Sequence, residues 1–260
     1  MSAEPEQPSR RRALLRRLRK LGRRLRNLRI VVDAPLERQR QEPVVPCSFP
    51  CDLDREALSR EYVFGQPGRG LHFLDVGGRD GKLTFLLGIR DQVLDSTFYA
   101  ANKRRFEEKY RYVGLDLEGA NGAGLVVGDI CDPEFMAAHE AWRARFDVVY
   151  SNSVFEHLQR PWVAVANIHA LLKPGGICIT IAPFAWRYHE VPGDYFRYSH
   201  TAIPALFRDV GPVDVLVSGY DLRQRRDDDQ GDGLLGDAVP ADYLGGFREN
   251  WQMISIVRKR

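Results

Sequence analysis

Residues 71–81 read LHFLDVGGRDG: an apolar run ends on Asp75 and enters a turn carrying Gly77, Gly78 and Gly81, ahead of the stretch KLTFLLGI. Glycine at such a turn lets the backbone take positive φ and lets a ligand approach with no Cβ in the way, while a helix start behind it offers unpaired N–H groups. The chemistry this suits is the holding of a nucleotide-like molecule. A dinucleotide-binding turn would present G-x-G-x-x-G to a pyrophosphate; here Arg79 stands between Gly77 and Gly81, and that pattern is not met. Two further carboxylates close the next apolar runs, Asp116 in YVGLDL and Asp129 in VVGDI. An ionised carboxylate can accept from two hydroxyl donors at once. Taken singly, each reads better as a strand-end turn or helix cap, but three at successive run ends mark out one edge.

The elements that must position these residues follow from the hydrophobic pattern. From Leu71 onward, short apolar runs alternate with helical stretches: LHFLDV, RYVGLDL, AGLVVGDI, FDVVYSN, GICITIAPF, VDVLVSGY and WQMISIVRK. Runs of this length, rich in Val and Ile, predict an α/β fold: a doubly wound, seven-stranded, mostly parallel sheet between two helical layers. Between the sixth and seventh runs, the stretch from Asp221 to about Gly246 is polar and rich in Gly and Asp, with no helical pattern. Without a crossover helix the last strand is predicted to return antiparallel. Asp75, Asp116 and Asp129 then fall at carboxyl ends of strands, where an open α/β sheet binds its ligand.

Asp75, Gly77 and Gly81 fit a pattern of acidic, any, Gly, any, Gly, any, Gly whose middle glycine is here Arg79. In this the turn resembles the cofactor turn of class I, Rossmann-like S-adenosylmethionine methyltransferases. FDVVYSNSVFEHL and LLKPGG resemble the fourth-strand segment and the helix-to-fifth-strand turn of their small-molecule type 11 group, and the likeness runs from about Gly70 to Lys259. It implies S-adenosylmethionine as cofactor and methyl transfer as activity. It also implies that Asp75, Gly77, Gly78 and Gly81 shape the cofactor bed. Asp116, with Leu117 beside it, would receive both ribose hydroxyls, Asp129 the adenine amino group, and Ile130 would flank the ring, with Ser151 at the end of the fourth strand. Asp116 lies further from the glycine turn than is usual there, so residues 91–109 read as an insertion. In LKPGG, Pro174 and Gly175 have a structural role, stopping a helix and turning into the buried strand.

After the fifth run comes PFAWRYHEVPGDYFRYSH, dense in aromatic and polar residues, as the lining of a small-molecule pocket should be. Methyl transfer to a hydroxyl requires alignment of the acceptor and a base for its proton. His189 is the first candidate, since an imidazole titrates near neutrality, and His157 beside Glu156 is the second; each also reads as a packing or helix-start histidine. Arg197 could pair with an anionic acceptor or brace Asp194. Tyr188, Tyr195 and Tyr198 are candidate substrate contacts, and Tyr195 and Tyr198 read as wall as readily as catalyst. This stretch also resembles a loop of a bacterial subgroup linked to surface-polysaccharide or lipid-linked sugar modification. The expected acceptor is therefore a sugar or lipid-linked glycan hydroxyl; a quinone or polyketide acceptor, or a catalytically silent binding protein, are the competing readings.

The net charge of +3 divides unevenly: residues 1–29 hold eleven Arg or Lys against two Glu, a net of +9, and the rest of the chain carries −6. An acidic body does not suit tracking of nucleic-acid phosphate, and the Asn/Asp-Pro-Pro-aromatic signature of many base methyltransferases is replaced by Ser151-Asn152-Ser153-Val154. Leu14, Leu18, Leu21, Leu25 and Leu28 repeat at steps of four and three among the basic residues, forming one apolar stripe on a helix. Such a helix suits an anionic membrane surface; a coiled coil, an RNA contact or a solvated tail compete. The chain is accordingly read as tail 1–31, a Pro-rich linker 32–69 with a short helix around Asp54 to Arg60, and one domain over 70–260. The four cysteines are scattered and no second ligand pair joins Cys47 and Cys51, so neither a disulfide framework nor a structural zinc is expected. No apolar run is long enough to span a membrane, and the expected location is the cytoplasm, peripheral to the inner membrane face if the tail binds lipid.

Overall fold

The computed structural model describes residues 53–78, 89–90, 93–94, 96–119, 124–186, 188, 193–221 and 251–260. Tail 1–31, Cys47, Cys51, Gly81, His189 and the stretch 222–250 lie outside them. Seven strands form one sheet: β1 (Leu71–Val76), β2 (Tyr110–Asp116), β3 (Leu125–Val127), β4 (Phe146–Asn152), β5 (Leu172–Ala185), β6 (Val213–Asp221) and β7 (Trp251–Lys259). Their order is β3-β2-β1-β4-β5-β7-β6. Every neighbouring pair from β3 to β5 is parallel, whereas β7 runs antiparallel to both β5 and β6. The predicted sheet and its antiparallel final strand are therefore present. The order reverses direction between β1 and β4, so the carboxyl ends of β1, β2 and β4 open onto one crevice.

Helices cover both faces: α1 (Arg55–Ser59) continues into a π-turn (Arg60–Phe64), followed by α2 (Ser96–Lys109), α3 (Phe135–Ala138), α4 (Pro161–Leu171) and α5 (Ala202–Val210). Strand alternation supplies two cores. Leu74, Val149, Cys178, Met253 and Val257 face α3, α4 and α5, while Phe73, Val148, Tyr150, Ile179 and Ile254 face α1 and α2. Residues 91–109, read as inserted, contain α2, whose Phe106 is buried edge-on against Phe73 at 5.0 Å. A parallel β1–β2 pair needs a crossover, and α2 lies in that connection. Ile89, the last residue of the stretch KLTFLLGI, pairs with Leu94 in a two-stranded ribbon, Ile89–Arg90 against Val93–Leu94. The LKPGG turn is absorbed into the start of β5, where Phe146 pairs with Leu172 but Val148 with Ile177. Gly176 sits so close under β4 that a Cβ would lie 2.9 Å from the Phe146 carbonyl oxygen.

Asn167 shows how the helical layer sets the site edge. It is buried on α4, and its Nδ2 donates to the carbonyls of Ile130 at 2.8 Å and Asp132 at 2.9 Å, fixing the loop that carries Asp129. Asn167→Ala leaves both carbonyls without this donor. It is expected to cost about 1–3 kcal/mol in denaturant-monitored unfolding.

Candidate functional site

The glycine turn is wound tightly against its neighbours. Gly77 N–H and Gly78 N–H both donate to the Leu115 carbonyl, at 2.8 and 3.3 Å, which draws the end of β1 onto the end of β2. Gly77 has φ +83°, and a Cβ there would lie 2.2 Å from Val154 Cγ2, just beyond β4. At Gly78 a Cβ would meet the Tyr112 hydroxyl at 2.8 Å and the Asp75 carbonyl at 2.9 Å. Both positions exclude any side chain.

Asp75 is buried at the end of β1 and accepts a hydrogen bond from Tyr112 Oη at 3.0 Å. Removal from water pushes its carboxyl up to about 7, the Tyr112 bond opposing this and the nearby Asp116 charge adding to it. Asp116 is half-buried; its Oδ1 accepts from Glu118 N–H at 3.4 Å and its carbonyl from Gly128 N–H at 2.9 Å. Leu117 next to it is exposed. Asp129 is exposed, and its Oδ1 caps Cys131 N–H at 2.8 Å, while Ile130 is buried in the core. Ser151 closes β4 fully buried, and its hydroxyl has no hydrogen-bond partner among the described residues. The three carboxylates and Ser151 are thus brought to one sheet edge by parallel strands in register.

Beyond β4 the chain makes a short 3₁₀ turn, Phe155–His157, and the segment 193–198 is laid across it. Tyr195 N–H and Phe196 N–H donate to the Glu156 carbonyl, Tyr198 Oη donates to the Phe155 carbonyl at 3.0 Å, and His157 Nδ1 is hydrogen-bonded to the Gly193 carbonyl. Because a carbonyl only accepts, Nδ1 carries the proton and Nε2 is the basic nitrogen of the neutral ring, 3.7 Å from the buried Glu156 carboxylate. Of the two readings of Arg197, the brace is the one observed: its guanidinium pairs with Asp194, with Nη2 donating to Oδ2 at 2.7 Å, and also donates to the Trp186 and Phe196 carbonyls. Tyr198 is wall, buried against Phe155. Tyr188 and Tyr195 are exposed, with Tyr195 Oη accepting from Gln159 Nε2 at 2.8 Å.

A buried network beside this edge has no sequence motif. Arg55 Nε pairs with Asp221 Oδ2 at 2.7 Å, Arg55 also donates to Gln252 Oε1, and Gln252 Nε2 reaches Ser153 Oγ at 3.4 Å. Ser153 has φ +54°, a left-handed backbone conformation that strains a non-glycine residue directly after β4. Partners as distant in sequence as Arg55 and Gln252 leave no local signal. Tyr112, which donates to Asp75, carries no motif either; its one sequence signal is the Tyr110–Tyr112 pair on one face of β2. Among the described residues no cluster of three metal-ligating side chains occurs.

The raised carboxyl of Asp75 has a definite consequence for stability. An unfolded Asp ionises near 3.8, the folded one near 7, so the native state holds its proton more tightly. This contribution to stability is complete below about pH 4 and is lost as pH rises through 7. Asp75→Asn, which keeps an acceptor for Tyr112, should raise the melting temperature of the ligand-free protein at pH 8 clearly more than at pH 5. The difference should be on the order of 2–4 kcal/mol.

A family model described as a methyltransferase domain matches residues 50–208. A comparison with curated protein sequences found no significant match. Solved structures with a similar chain trace include an S-adenosylmethionine-dependent methyltransferase from Archaeoglobus fulgidus at 12% identity, covering 78% of this chain and 91% of that one, TM-score 0.48. Another is the 1,6-didemethyltoxoflavin-N1-methyltransferase of Burkholderia thailandensis at 16% identity, covering 99% and 93%, TM-score 0.43. A third is Haemonchus contortus phosphoethanolamine N-methyltransferase 2 in complex with S-adenosyl-L-methionine, at 16% identity, covering 78% and 53%, TM-score 0.43. With the family model spanning more than half of the sequence and the strand-end carboxylates and glycine turn in place, the chain belongs to the methyltransferase domain family and is an S-adenosylmethionine-dependent methyltransferase.

Proposed function

We propose that this methyltransferase acts on a hydroxyl of a small molecule, a sugar or lipid-linked glycan intermediate, held at the sheet edge beyond β4 and β5. The observation that supports this most is the division of that edge. Carboxylates stand at the ends of β1, β2 and β3, and the exposed rings of Trp186, Tyr188 and Tyr195 follow β5. The carboxylate half suits a nucleoside with hydroxyl and amino donors. The aromatic half suits an acceptor with apolar faces and a few polar groups. Flat quinone or polyketide acceptors would find the same rings favourable and form the second reading.

When bound, the cofactor supplies a methyl group on a sulfonium, already activated for displacement. The residues present fit it: a turn closed to any Cβ at Gly77 and Gly78, acceptor oxygens on Asp116 and Asp129, and a buried Ser151 hydroxyl in need of a partner. In this reading Asp75, Gly77, Gly78 and Gly81 shape the bed, Asp116 takes both ribose hydroxyls, and Leu117, Asp129 and Ile130 surround the adenine. His157, with its tautomer set by the Gly193 carbonyl, takes the acceptor proton at Nε2. His189 is the rival base. The basic tail holds the enzyme at an anionic membrane surface, and no helix among the described residues is long and apolar enough to cross one.

Calorimetric titration with S-adenosylhomocysteine tests the cofactor site; no heat and no thermal stabilisation at millimolar ligand would sink it. Asp116→Ala should weaken binding by roughly 10²- to 10⁴-fold, the value of two charge-assisted hydrogen bonds. Once an acceptor is found by product analysis, His157→Gln should lower kcat by about 10²- to 10⁴-fold and leave S-adenosylhomocysteine affinity within about twofold. An unchanged kcat assigns the proton transfer elsewhere.

A further inference from the structure

Seven large hydrophobic side chains are exposed among the described residues, and six of them, all but Val210, stand at the carboxyl edge of the sheet. Leu117 follows β2. The other five are aromatic: Trp162 in the first turn of α4, Phe184 at the end of β5, and Trp186, Tyr188 and Tyr195 in the segments beyond, between 37% and 68% exposed. Exposed aromatics concentrated on one rim are uncommon on a monomeric domain and typical of surfaces that enter a membrane interface. The exposed acids of the edge, Glu118, Asp129, Asp132 and Glu134, all follow β2 or β3, so among the described residues the aromatic half carries none of them.

The basic tail joins the body at the same edge. Leu53 N–H donates to the Tyr220 carbonyl at 3.0 Å, and Arg55 is locked to Asp221, both at the end of β6. Between Arg29 and Leu53 lie 23 residues. A coil of that length has a root-mean-square span of about 27 Å, less than the roughly 40 Å width of such a domain. A tail on a bilayer therefore keeps this edge, rather than the opposite one, at high effective concentration near the lipid. The 222–250 stretch leaves from the same edge with charges of both signs, so the cationic attraction rests on the tail.

We infer that the aromatic half of the carboxyl edge docks on the surface of an anionic bilayer, with Trp162, Phe184 and Trp186 in the interface and the acidic, cofactor-holding half turned to water. This rests on reading the tail as a lipid-surface element, and it deepens the proposed function: the acceptor is then taken directly from the membrane. A hydroxyl-bearing headgroup at that level would reach the site without leaving the lipid.

The test uses the full-length chain and vesicles of phosphatidylcholine with 30% phosphatidylglycerol, some carrying brominated acyl chains, which quench tryptophan at short range. Two single-tryptophan proteins are compared, each with the other three tryptophans changed to Phe. One retains Trp186, the other Trp142, which precedes β4 at the opposite edge. The expected result is strong quenching of Trp186 and about tenfold less of Trp142, with both proteins pelleting with the vesicles. A protein retaining only Trp162 serves if the Trp186 protein does not fold, and should also be quenched. Pelleting with equal or no quenching of edge and control tryptophans would mean that the tail tethers the body without docking the edge, and no pelleting would remove the membrane surface altogether; either result overturns the inference. Trp162→Ser with Trp186→Ser should weaken partitioning about tenfold while S-adenosylhomocysteine affinity is retained. Calorimetry with S-adenosylhomocysteine on the same proteins, without vesicles, reports on the cofactor site separately.

Discussion

Two backbone N–H groups on one carbonyl hold the site together. Gly77 and Gly78 both donate to Leu115 O, and on the other side Gly77 faces Val154 with no room for a Cβ. The turn after β1 is thereby wedged between the end of β2 and the segment after β4. Everything placed at the carboxyl edge depends on that wedge: Asp75 before it, Asp116 one residue beyond Leu115, and the 155–157 turn that carries His157. Side chains at either glycine would spread the crevice, since what they would strike is either backbone or a side chain packed against the core.

Burial divides the carboxylates of the site. Asp75 lies under Tyr112 in a sheet whose two faces are both packed, and loss of water raises its carboxyl to near neutrality. Asp116 and Asp129 stand further out and keep access to solvent. One edge thus holds a carboxyl poised near neutrality beside two that face the crevice. The same edge is strained at Ser153, where a left-handed residue turns the chain out of β4, and it is braced by the Arg55–Asp221–Gln252 network from strands and a helix remote in sequence.

The aromatic half is organised differently. There the backbone of 193–198 is bound to Phe155 and Glu156, and Arg197 is consumed by Asp194 and two carbonyls, which leaves rings rather than charges facing outward. In the 193–198 segment the charges of Asp194 and Arg197 hold the loop in place, and rings are what it presents. The membrane-docking inference follows from that distribution together with the point at which the basic tail meets the fold.

The sequence by itself determined the strands, their parallel arrangement and the antiparallel return of β7, because period, run length and the missing helical pattern before β7 are local properties of the chain. It also placed Asp75, Asp116 and Asp129 on one edge, since strand ends in a parallel sheet share a side whatever the details of packing. The glycine turn was legible for the same reason: only glycine tolerates such a backbone. Tertiary structure decided the rest. Whether Arg197 meets a ligand or braces Asp194, whether Tyr198 is wall, which nitrogen of His157 is basic and why Arg55 matters are settled by contacts between residues far apart in sequence. It also turned residues 96–109, read as part of an insertion, into the helix between β1 and β2, through the burial of Phe106 against Phe73. Such contacts depend on distances that no spacing along the chain encodes, and they decide how the edge marked out by sequence is charged, closed and exposed.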